Sequence, residues 1–325
     1  MEKTHNIVTI GGGTGTFVVL TGLKRIPQVN LTAVVTVSDS GGSTGRLRDA
    51  YGFLPAGDAR QALVALAGDN GNSLLRQLFT HRFTKGDVEG HNFGNLFITA
   101  LTEILGDDVA AIEATSKILN INGRVLPVSK QAPTLVAELE NGETIVGEHE
   151  IDTPTQGRSA IKKLRTEEAA HAYEDALRAI EEADLIVLGP GDLYTSILAN
   201  LVVKGVRESL QKTKGKLVYV ANLFSKCGQT EDYTASQCVT EIESYIGRTL
   251  DHILVHSGDF PKDAIAHYAA AHECPTEDDL GDDPRVVRSA FASTTTIQGT
   301  EGDALPRSLV RHDATLLAET LNTLL

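Results

Sequence analysis

The chain has 325 residues, of which 41% are hydrophobic, and its formal net charge is −14. This length suffices for one large α/β domain or two smaller ones, and the negative charge argues against broad nucleic-acid binding, although backbone amides can still hold a single nucleotide. No apolar run reaches the roughly 18–20 residues of a membrane span and no signal-peptide pattern opens the chain, so we expect a cytoplasmic protein without a membrane span.

Short β-branched runs alternate with helical patterns along most of the chain. The strand-like runs are residues 6–10, 31–37, 184–188, 216–221 and 252–256. They are almost continuously apolar, as is typical of strands covered on both faces, and loops rich in Gly, Asn or Ser follow them. The pattern predicts an α/β protein of three layers, with a Rossmann-like, doubly wound and mostly parallel sheet.

Residues 134–165 interrupt this alternation. Two alternating runs flank Asn141-Gly142, the strongest short hairpin signal, which predicts a small β-hairpin inserted into a single domain of residues 1–325. The polar residues 153–169 predict a linker or mobile loop that leads to an amphipathic helix at about 168–182. The carboxyl end predicts a strand end followed by a helix.

The first glycine-rich loop follows a predicted strand and opens a predicted helix. It comprises Gly11, Gly12, Gly13, Thr14 and Gly15. Glycines allow a close backbone approach to phosphate, and free amides at a helix start attract anions. The loop does not match the dinucleotide-binding fingerprint G-x-G-x-x-G, because Thr16 stands in place of the third glycine. It is not a Walker loop either, because no Gly-Lys-Ser/Thr follows. The alternative interpretation is a tight strand-to-helix turn.

A second loop follows the second strand, whose carboxyl end should lie beside that of the first. It contains Asp39, Ser40, Gly41, Gly42 and Ser43. Asp39 is predicted either to accept a hydrogen bond from a ribose or base hydroxyl or to bind Mg²⁺. The alternative is a solvated turn aspartate.

Two further helix starts carry polar side chains. Asp58 and Arg60 open one of them, and Asn92 and Asn95 open the other. All four are candidate nucleotide or phosphate contacts, although a helix cap is the alternative for Asp58 and capping explains one of the asparagines. Arg60 opposes the helix dipole in the first turn, which favours an anionic partner, and the second asparagine is a candidate ligand contact.

A fourth loop of the same kind ends the strand at 184–188. It supplies Gly189, Gly191, Asp192, Tyr194 and Thr195, of which Asp192 is a second candidate for Mg²⁺. Ligands of open α/β sheets bind at the carboxyl edge, where the strand order reverses, so we expect the four loops to form one anion site. No nucleophile–base motif stands out, and we predict no catalytic residue.

These four loops in this order, with GHNFGNL between them, resemble the YvcK-like gluconeogenesis factors (UPF0052). They resemble more distantly the CofD-type 2-phospho-L-lactate transferases. The similarity runs along almost the whole chain and includes ANLFSKCGQTEDYT, residues 221–234, where the first group typically has ANLMTQPGETDGYT. Ala199 stands where the family has proline in TSIxPNL.

The resemblance implies a cytoplasmic regulatory factor that binds UDP-sugars such as UDP-N-acetylglucosamine. It implies roles in gluconeogenic growth, cell shape and cell-wall precursor supply, a homo-oligomer and an unidentified protein partner. The glycine loops would bind the diphosphate, and Asp39 and Asn222 the base or ribose. Tyr268 and Arg311 would contact the sugar or diphosphate. The alternative interpretation is that Tyr268 is a packed tyrosine on a helix and that Arg311 is a surface arginine.

Two enzyme hypotheses rank lower. A Mg²⁺-dependent transferase would use a nucleoside diphosphate-activated phospho-acid, but the transferase branch's D-x-x-x-x-G-L-R-I-S-P-D-L-D-T stretch is absent from this chain. An NAD(P) oxidoreductase is disfavoured by the missing third fingerprint glycine and by the second glycine loop.

Overall fold

Ten strands form two sheets in the computed structural model, which describes residues 3–68, 73–153, 157–293 and 309–325. The strands are β1 (His5–Gly11), β2 (Val29–Val35), β3 (Arg124–Pro127), β4 (Leu135–Leu139), β5 (Thr144–Val146), β6 (Ile161–Thr166), β7 (Leu185–Leu188), β8 (Lys216–Val220), β9 (His252–His256) and β10 (Val286–Ser289). The larger sheet has the order β10-β9-β8-β7-β1-β2-β3, and the smaller one has the order β5-β4-β6.

Helices fill most of the connections between strands. They are α1 (Gly13–Leu23), α2 (Gly42–Tyr51), α3 (Gly57–Leu66), α4 (Ser73–Thr80), α5 (Phe93–Leu105), α6 (Asp108–Leu119), α7 (Glu148–Asp152), α8 (Glu174–Glu181), α9 (Ala199–Leu201), α10 (Val206–Lys212), α11 (Ala235–Ile246), α12 (Lys262–Ala270) and α13 (Ala314–Thr323). A π-helix, Leu193–Leu198, runs directly into α9. No helix in the described ranges is long and apolar enough to cross a membrane.

The strand order reverses between β1 and β7. The chain builds outward from β1 through β2 to β3, then returns to place β7 on the other side of β1. Both neighbours pair with β1 in parallel, with Ile7 opposite Leu31 and Leu185. The loops that follow β1 and β7 therefore leave the same edge of the sheet side by side, at the position where open α/β sheets bind ligands.

Successive side chains of the central strands pack alternately into two hydrophobic cores, one on each face of the sheet. Ile7 and Val187 pack with α1, α3 and α13, whereas Val8 and Leu188 pack with the π-helix, α10 and α11. Because successive side chains of a strand point to opposite faces, a strand buried on both sides must be apolar throughout. The predicted three-layer α/β fold is confirmed, and every pairing in the large sheet is parallel.

Two strands of the large sheet, β3 and β10, were not predicted. Both have four residues, and both include an arginine. They occupy the two edges of the sheet. β10 is incompletely buried, whereas β3 buries three of its four residues, so its short length and its arginine hide it in the sequence. The second predicted strand begins and ends two residues earlier than residues 31–37.

The insertion contains the predicted hairpin and more. Leu139 N–H donates to Glu143 O at 2.8 Å around the Asn141-Gly142 turn, which confirms the hairpin of β4 and β5. The linker prediction is wrong over its second half, since β6 pairs antiparallel with β4; residues 154–156 lie outside the described ranges. A register shift at Glu138/Leu139 lets Ile161 and Leu164, three residues apart, both face the core, which hides the usual strand alternation.

Gly22 sets the distance between α1 and α13. A Cβ at this position would overlap the carbonyl oxygen of Ala314, at the start of α13. We expect Gly22→Ala to lower the free energy of unfolding by about 1–3 kcal/mol, because the two helices must separate. Urea denaturation measures this change. Gly68→Ala is the control, since its Cβ would meet Asn120 O at 3.4 Å, an ordinary contact; equal losses in both variants would contradict the prediction.

Candidate functional site

The loops after β1 and β7 touch each other at the carboxyl edge of the sheet. A Cβ at Gly15 would overlap the carbonyl oxygen of Pro190, so only glycine permits this approach. Asn200 Nδ2 donates to Gly11 O at 3.3 Å, from α9 to the last residue of β1. The first and fourth predicted loops are therefore one continuous surface.

The second loop and the start of α3 join that surface through two aspartates. The Gly13 N–H donates to Asp58 Oδ1 at 2.7 Å, and the Gly41 N–H donates to Asp39 Oδ1 at 2.9 Å. Asp58 thus does not cap its own helix, which has no side-chain cap. It ties the beginning of α3 to the beginning of α1, and Ser40, Gly42 and Ser43 follow Asp39 into the start of α2.

A fifth loop, after β8, supports the fourth. Asn222 accepts from Gly191 N–H through Oδ1 and donates to Gly191 O through Nδ2, both at 2.9 Å. This double hydrogen bond holds the backbone that leads into Asp192, Tyr194 and Thr195. The last two are the second and third residues of the π-helix, an irregularity that is frequent at functional sites.

The insertion brings α7 onto the same edge. The Ser40 N–H donates to Glu148 Oε2 at 3.1 Å, and the His149 N–H donates to Ser40 Oγ at 2.9 Å. At the other end of α7, Asp152 Oδ1 accepts from Gln229 Nε2 at 3.1 Å and from Thr195 Oγ1 at 3.4 Å. The insertion is therefore part of the site.

Lys226 brings a positive charge to this acidic edge. Its Nζ lies 3.7 Å from Asp152 Oδ1 and 3.7 Å from Asp192 Oδ2. The charge of Asp192 and that of Asp152 raise the pKa of the Lys226 ammonium, so it stays protonated. The ammonium group links the insertion to the loop after β7.

Five carboxyl groups converge here, and four of them have raised pKa values. They are Asp39, Asp58, Glu148, Asp152 and Asp192, which we call the acidic cluster. Burial raises the pKa of Asp58 to about 7, with a further contribution from the charge of Asp39. Burial raises the pKa of Glu148 to about 9 and that of Asp192 to about 6. The cluster therefore favours protons, cations or hydroxyl donors.

Three predicted residues lie to one side of the cluster and support the packing of α5. Arg60 is buried and donates through Nε to Asn95 Oδ1 at 2.9 Å and through a terminal nitrogen to Phe79 O at 3.3 Å. Asn92 caps α5, since its side chain accepts from Asn95 N–H. Asn95 Nδ2 donates to Thr44 Oγ1 at 3.2 Å, which links this network to the second loop.

Two other predicted residues, Tyr194 and Tyr268, point into packed surroundings, and Arg311 is half-buried. The hydroxyl of Tyr194, which is fully buried, contacts Ile161 O and the Tyr233 hydroxyl, each at 3.2 Å. Tyr268 stacks on Phe224 with ring centroids 3.8 Å apart and accepts from Val310 N–H. Arg311 accepts through its carbonyl from Ser293 N–H.

Sequence analysis missed Glu148, Asp152, Lys226 and Gln229. The first two lie in the acidic run EHEID directly after the hairpin, and the last two lie in the loop SKCGQT after β8. An acidic run in a predicted insertion resembles any solvated surface. Only the folded chain shows that it turns back onto the sheet edge.

A magnesium site was predicted at Asp39 or Asp192. In the described part of the chain, no three His, Cys, Asp or Glu side chains form a metal-binding group. Magnesium needs fewer protein ligands than that when it also binds the phosphates of a ligand. Asp39 offers hard oxygen donors beside the glycine loops, whereas Asp192 is already paired with Lys226.

The chain matches one family model and is similar in sequence to curated gluconeogenesis factors. The family model described as 2-phospho-L-lactate transferase CofD matches residues 7–295. The chain is 38% identical to a putative gluconeogenesis factor of Thermotoga maritima over 97% of this chain and 98% of the relative. It is 41% identical to the gluconeogenesis factor of Bacillus subtilis, over 86% and 87% of the two chains.

A solved structure shows the same architecture. The crystal structure of a UPF0052 family member from Bacillus halodurans superposes with a TM-score of 0.89 at 36% identity. The match covers 99% of each chain. The two chains share the whole fold, including the region that carries the insertion.

Asp58 should make stability depend on pH. Its pKa is about 7 in the fold and near 3.8 in the unfolded chain. Between these values the folded state holds more protons, so the free energy of unfolding falls as pH rises through this window. Asp58→Asn keeps an acceptor oxygen for Gly13 N–H, and above pH 7 it should be more stable than the parent by about 1–3 kcal/mol.

Urea denaturation over a pH series measures this effect. The variant should match the parent at acid pH, where both side chains are neutral. Asp49→Asn, which changes an aspartate with a side chain 67% exposed, serves as the control and should retain the pH dependence of the parent. Parallel pH profiles for Asp58→Asn and the parent would show that the prediction is wrong.

Proposed function

This chain belongs to the CofD/UPF0052 family of gluconeogenesis factors, and we propose that it is a regulatory factor that binds a nucleoside diphosphate sugar. UDP-N-acetylglucosamine is the ligand we test first. The observation that carries the proposal is one sheet edge that combines two kinds of group: glycine-rich helix starts beside a lysine, and a cluster of carboxyl groups.

The donors suit a diphosphate. The helix starts of α1 and α2 and the π-helix leave glycine-rich loops at the β1–β7 edge, and helix starts attract anions. Lys226 adds an ammonium group between Asp152 and Asp192. A diphosphate bound to the loops could take the place of one carboxylate beside this lysine.

The acceptors suit hydroxyl groups. Ribose and a pyranose ring together present several hydroxyls, and a carboxylate that accepts a hydroxyl hydrogen bond contributes about 1.5–3 kcal/mol. The Asp39 carboxylate accepts from Gly41 N–H and from the Thr44 side chain, and two oxygens with about four lone-pair sites can still accept a ligand hydroxyl. Asn222 is held in place by Gly191 and retains one amide hydrogen for the base or ribose. In a nucleotide sugar, the diphosphate would bind the helix starts and Lys226, and the hydroxyl groups would bind the carboxylates.

The role in the cell follows the family. We propose that the protein acts in the cytoplasm, reports the level of a nucleotide sugar and supports gluconeogenic growth, cell shape and cell-wall precursor supply through a protein partner. We propose that the ligand is bound without turnover.

Titration calorimetry with UDP-N-acetylglucosamine tests the proposal directly. We expect saturable binding by the full chain, with and without Mg²⁺, and mass spectrometry should recover the sugar nucleotide unchanged. GDP and NAD are the comparison ligands and should bind more weakly. If the chain does not bind the UDP-sugar either with or without Mg²⁺, the proposal is contradicted.

Asp39 should contribute directly to affinity. Asp39→Asn keeps an acceptor for Gly41 N–H but removes the charge that a hydroxyl or Mg²⁺ would contact. We expect the dissociation constant for the UDP-sugar to rise about tenfold or more, which corresponds to about 1.4 kcal/mol. Asp49→Asn, in the exposed part of α2, should bind like the parent. If both variants bind the UDP-sugar as tightly as the parent does, Asp39 does not contribute to binding and this prediction is wrong.

A transferase is the second candidate, and the acidic cluster favours it. Magnesium, when bound at Asp39 with the phosphates of a ligand, would neutralise charge that develops on the phosphoryl group. Burial raises the pKa of Glu148 to about 9, so its carboxyl can hold a proton near neutral pH. Magnesium-dependent binding of GDP, together with failure to bind the UDP-sugar, would select this function.

A further inference from the structure

The insertion brings two carboxyl groups of its own to the proposed nucleotide site. Glu148 and Asp152 lie four residues apart on α7, so their side chains share one face of this helix. The first contacts the loop after β2, and the second contacts the loops after β7 and β8. α7 therefore reaches across the end of β1, the strand that lies between β2 and β7.

These two carboxyl groups occupy four donor groups of the site. The donors are a backbone N–H, a hydroxyl, an ammonium group and a side-chain amide, and each of these is a group with which proteins bind phosphate oxygens. The Ser40 N–H lies 3.1 Å from Glu148 Oε2, and the donors around Asp152 Oδ1 are Gln229 Nε2 at 3.1 Å, Thr195 Oγ1 at 3.4 Å and Lys226 Nζ at 3.7 Å.

The contacts are weak ones for groups of this kind. Charge-assisted hydrogen bonds from nitrogen to oxygen usually measure about 2.7–2.9 Å, whereas Lys226 Nζ lies 3.7 Å from both Asp152 Oδ1 and Asp192 Oδ2. Burial raises the pKa of Glu148 to about 9, so near neutral pH its carboxyl group accepts from Ser40 N–H without a negative charge. A phosphate oxygen is negatively charged and forms a stronger hydrogen bond with the same N–H.

α7 is anchored by contacts that do not involve these donors. Ile151 is fully buried and packs in the same core as Leu135 and Leu164. Arg158 donates to Ile151 O and to Glu150 O, each at 2.7 Å. The helix therefore presents its two carboxyl groups to the site when no ligand is bound, and rotation of the two side chains frees the donors without movement of the helix.

Gln229 is incompletely satisfied in this arrangement. Its side chain is 2% exposed, and its Oε1 has no hydrogen-bond partner within the described ranges. The amide cannot turn round to correct this, because Oε1 would then face the Asp152 carboxyl group. A buried acceptor without a donor is unfavourable, and a ligand hydroxyl beside the diphosphate would supply the missing donor.

We propose that α7 is an intramolecular inhibitor of ligand binding: the carboxyl groups of Glu148 and Asp152 occupy the donors that the diphosphate of a ligand uses, and the ligand must displace both. This inference deepens the proposed function and rests on it for the diphosphate. It gives the insertion a regulatory part, because competition with the two carboxyl groups raises the ligand concentration at which the site fills.

Titration calorimetry of the full chain with inorganic diphosphate at neutral pH tests the competition. We expect Glu148→Ala to lower the dissociation constant several-fold, and Glu148→Ala with Asp152→Ala to lower it about tenfold or more. Glu148→Gln keeps an oxygen that accepts from Ser40 N–H, so it should gain less affinity than Glu148→Ala. Glu150→Ala removes an exposed side chain of the same helix and should bind like the parent.

Thermal unfolding checks that each variant is folded, and Glu148→Ala against Glu148→Gln decides the inference even if the double variant is unstable. The inference is overturned if Glu148→Ala binds no more tightly than the parent, or if Glu148→Gln or Glu150→Ala gains as much. It is also overturned if neither the parent nor the variants bind inorganic diphosphate. A parent that binds diphosphate but not UDP-N-acetylglucosamine contradicts the proposed function alone.

Discussion

The hydrogen bond from Gly13 N–H to the Asp58 carboxyl group is the contact on which the site depends. It joins the start of α1 to the start of α3 at a distance of 2.7 Å, across 45 residues of sequence. A buried amide needs an acceptor, and the carboxyl group supplies one while burial raises its own pKa to about 7. The first glycine loop is thereby tied to the start of α3.

The remaining loops are arranged around that fixed point by side chains from distant parts of the chain. Asn222 holds Gly191, and Glu148 holds Ser40. Lys226 lies between Asp152 and Asp192. Each of these contacts pairs a loop of the large sheet with a residue from another loop or from the insertion. The site is therefore a network of backbone amides and carboxyl groups, and no single motif contains it.

Sequence analysis predicted the parts of this network that local patterns encode. Runs such as residues 184–188 and 252–256 are apolar because both faces of the sheet are covered, and the glycine loops follow from their place after such strands. The Asn141-Gly142 hairpin was predicted by turn chemistry. β3 and β10 were missed because each has only four residues and includes an arginine, which leaves too short an apolar run to recognise. β6 was missed because a register shift changed its alternation.

The site contacts made by the insertion could not be predicted in the same way. Glu148 and Asp152 occupy a helix of five residues whose acidic sequence has no distinguishing period. Lys226 and Gln229 lie in a loop with no regular structure to position them. Their convergence depends on how the small sheet packs on the large one, which is long-range information. Asp58 was predicted as a nucleotide contact, with a helix cap as the alternative, because both follow from its place at a helix start; its hydrogen-bond partner, Gly13, is 45 residues away.

The order of the chain gives the site an order of assembly. The glycine loops that surround Asp39 and Asp58 belong to the first sixty residues, but β1 gains its second neighbour only with β7, and Lys226 and Gln229 come later still. During synthesis on the ribosome, the early loops lack their later partners until about two thirds of the chain has been made. Until then, the carboxyl groups that are buried in the finished fold remain hydrated. A nascent chain shorter than that has no complete binding site, so the ligand can stabilise only chains that extend beyond Gln229.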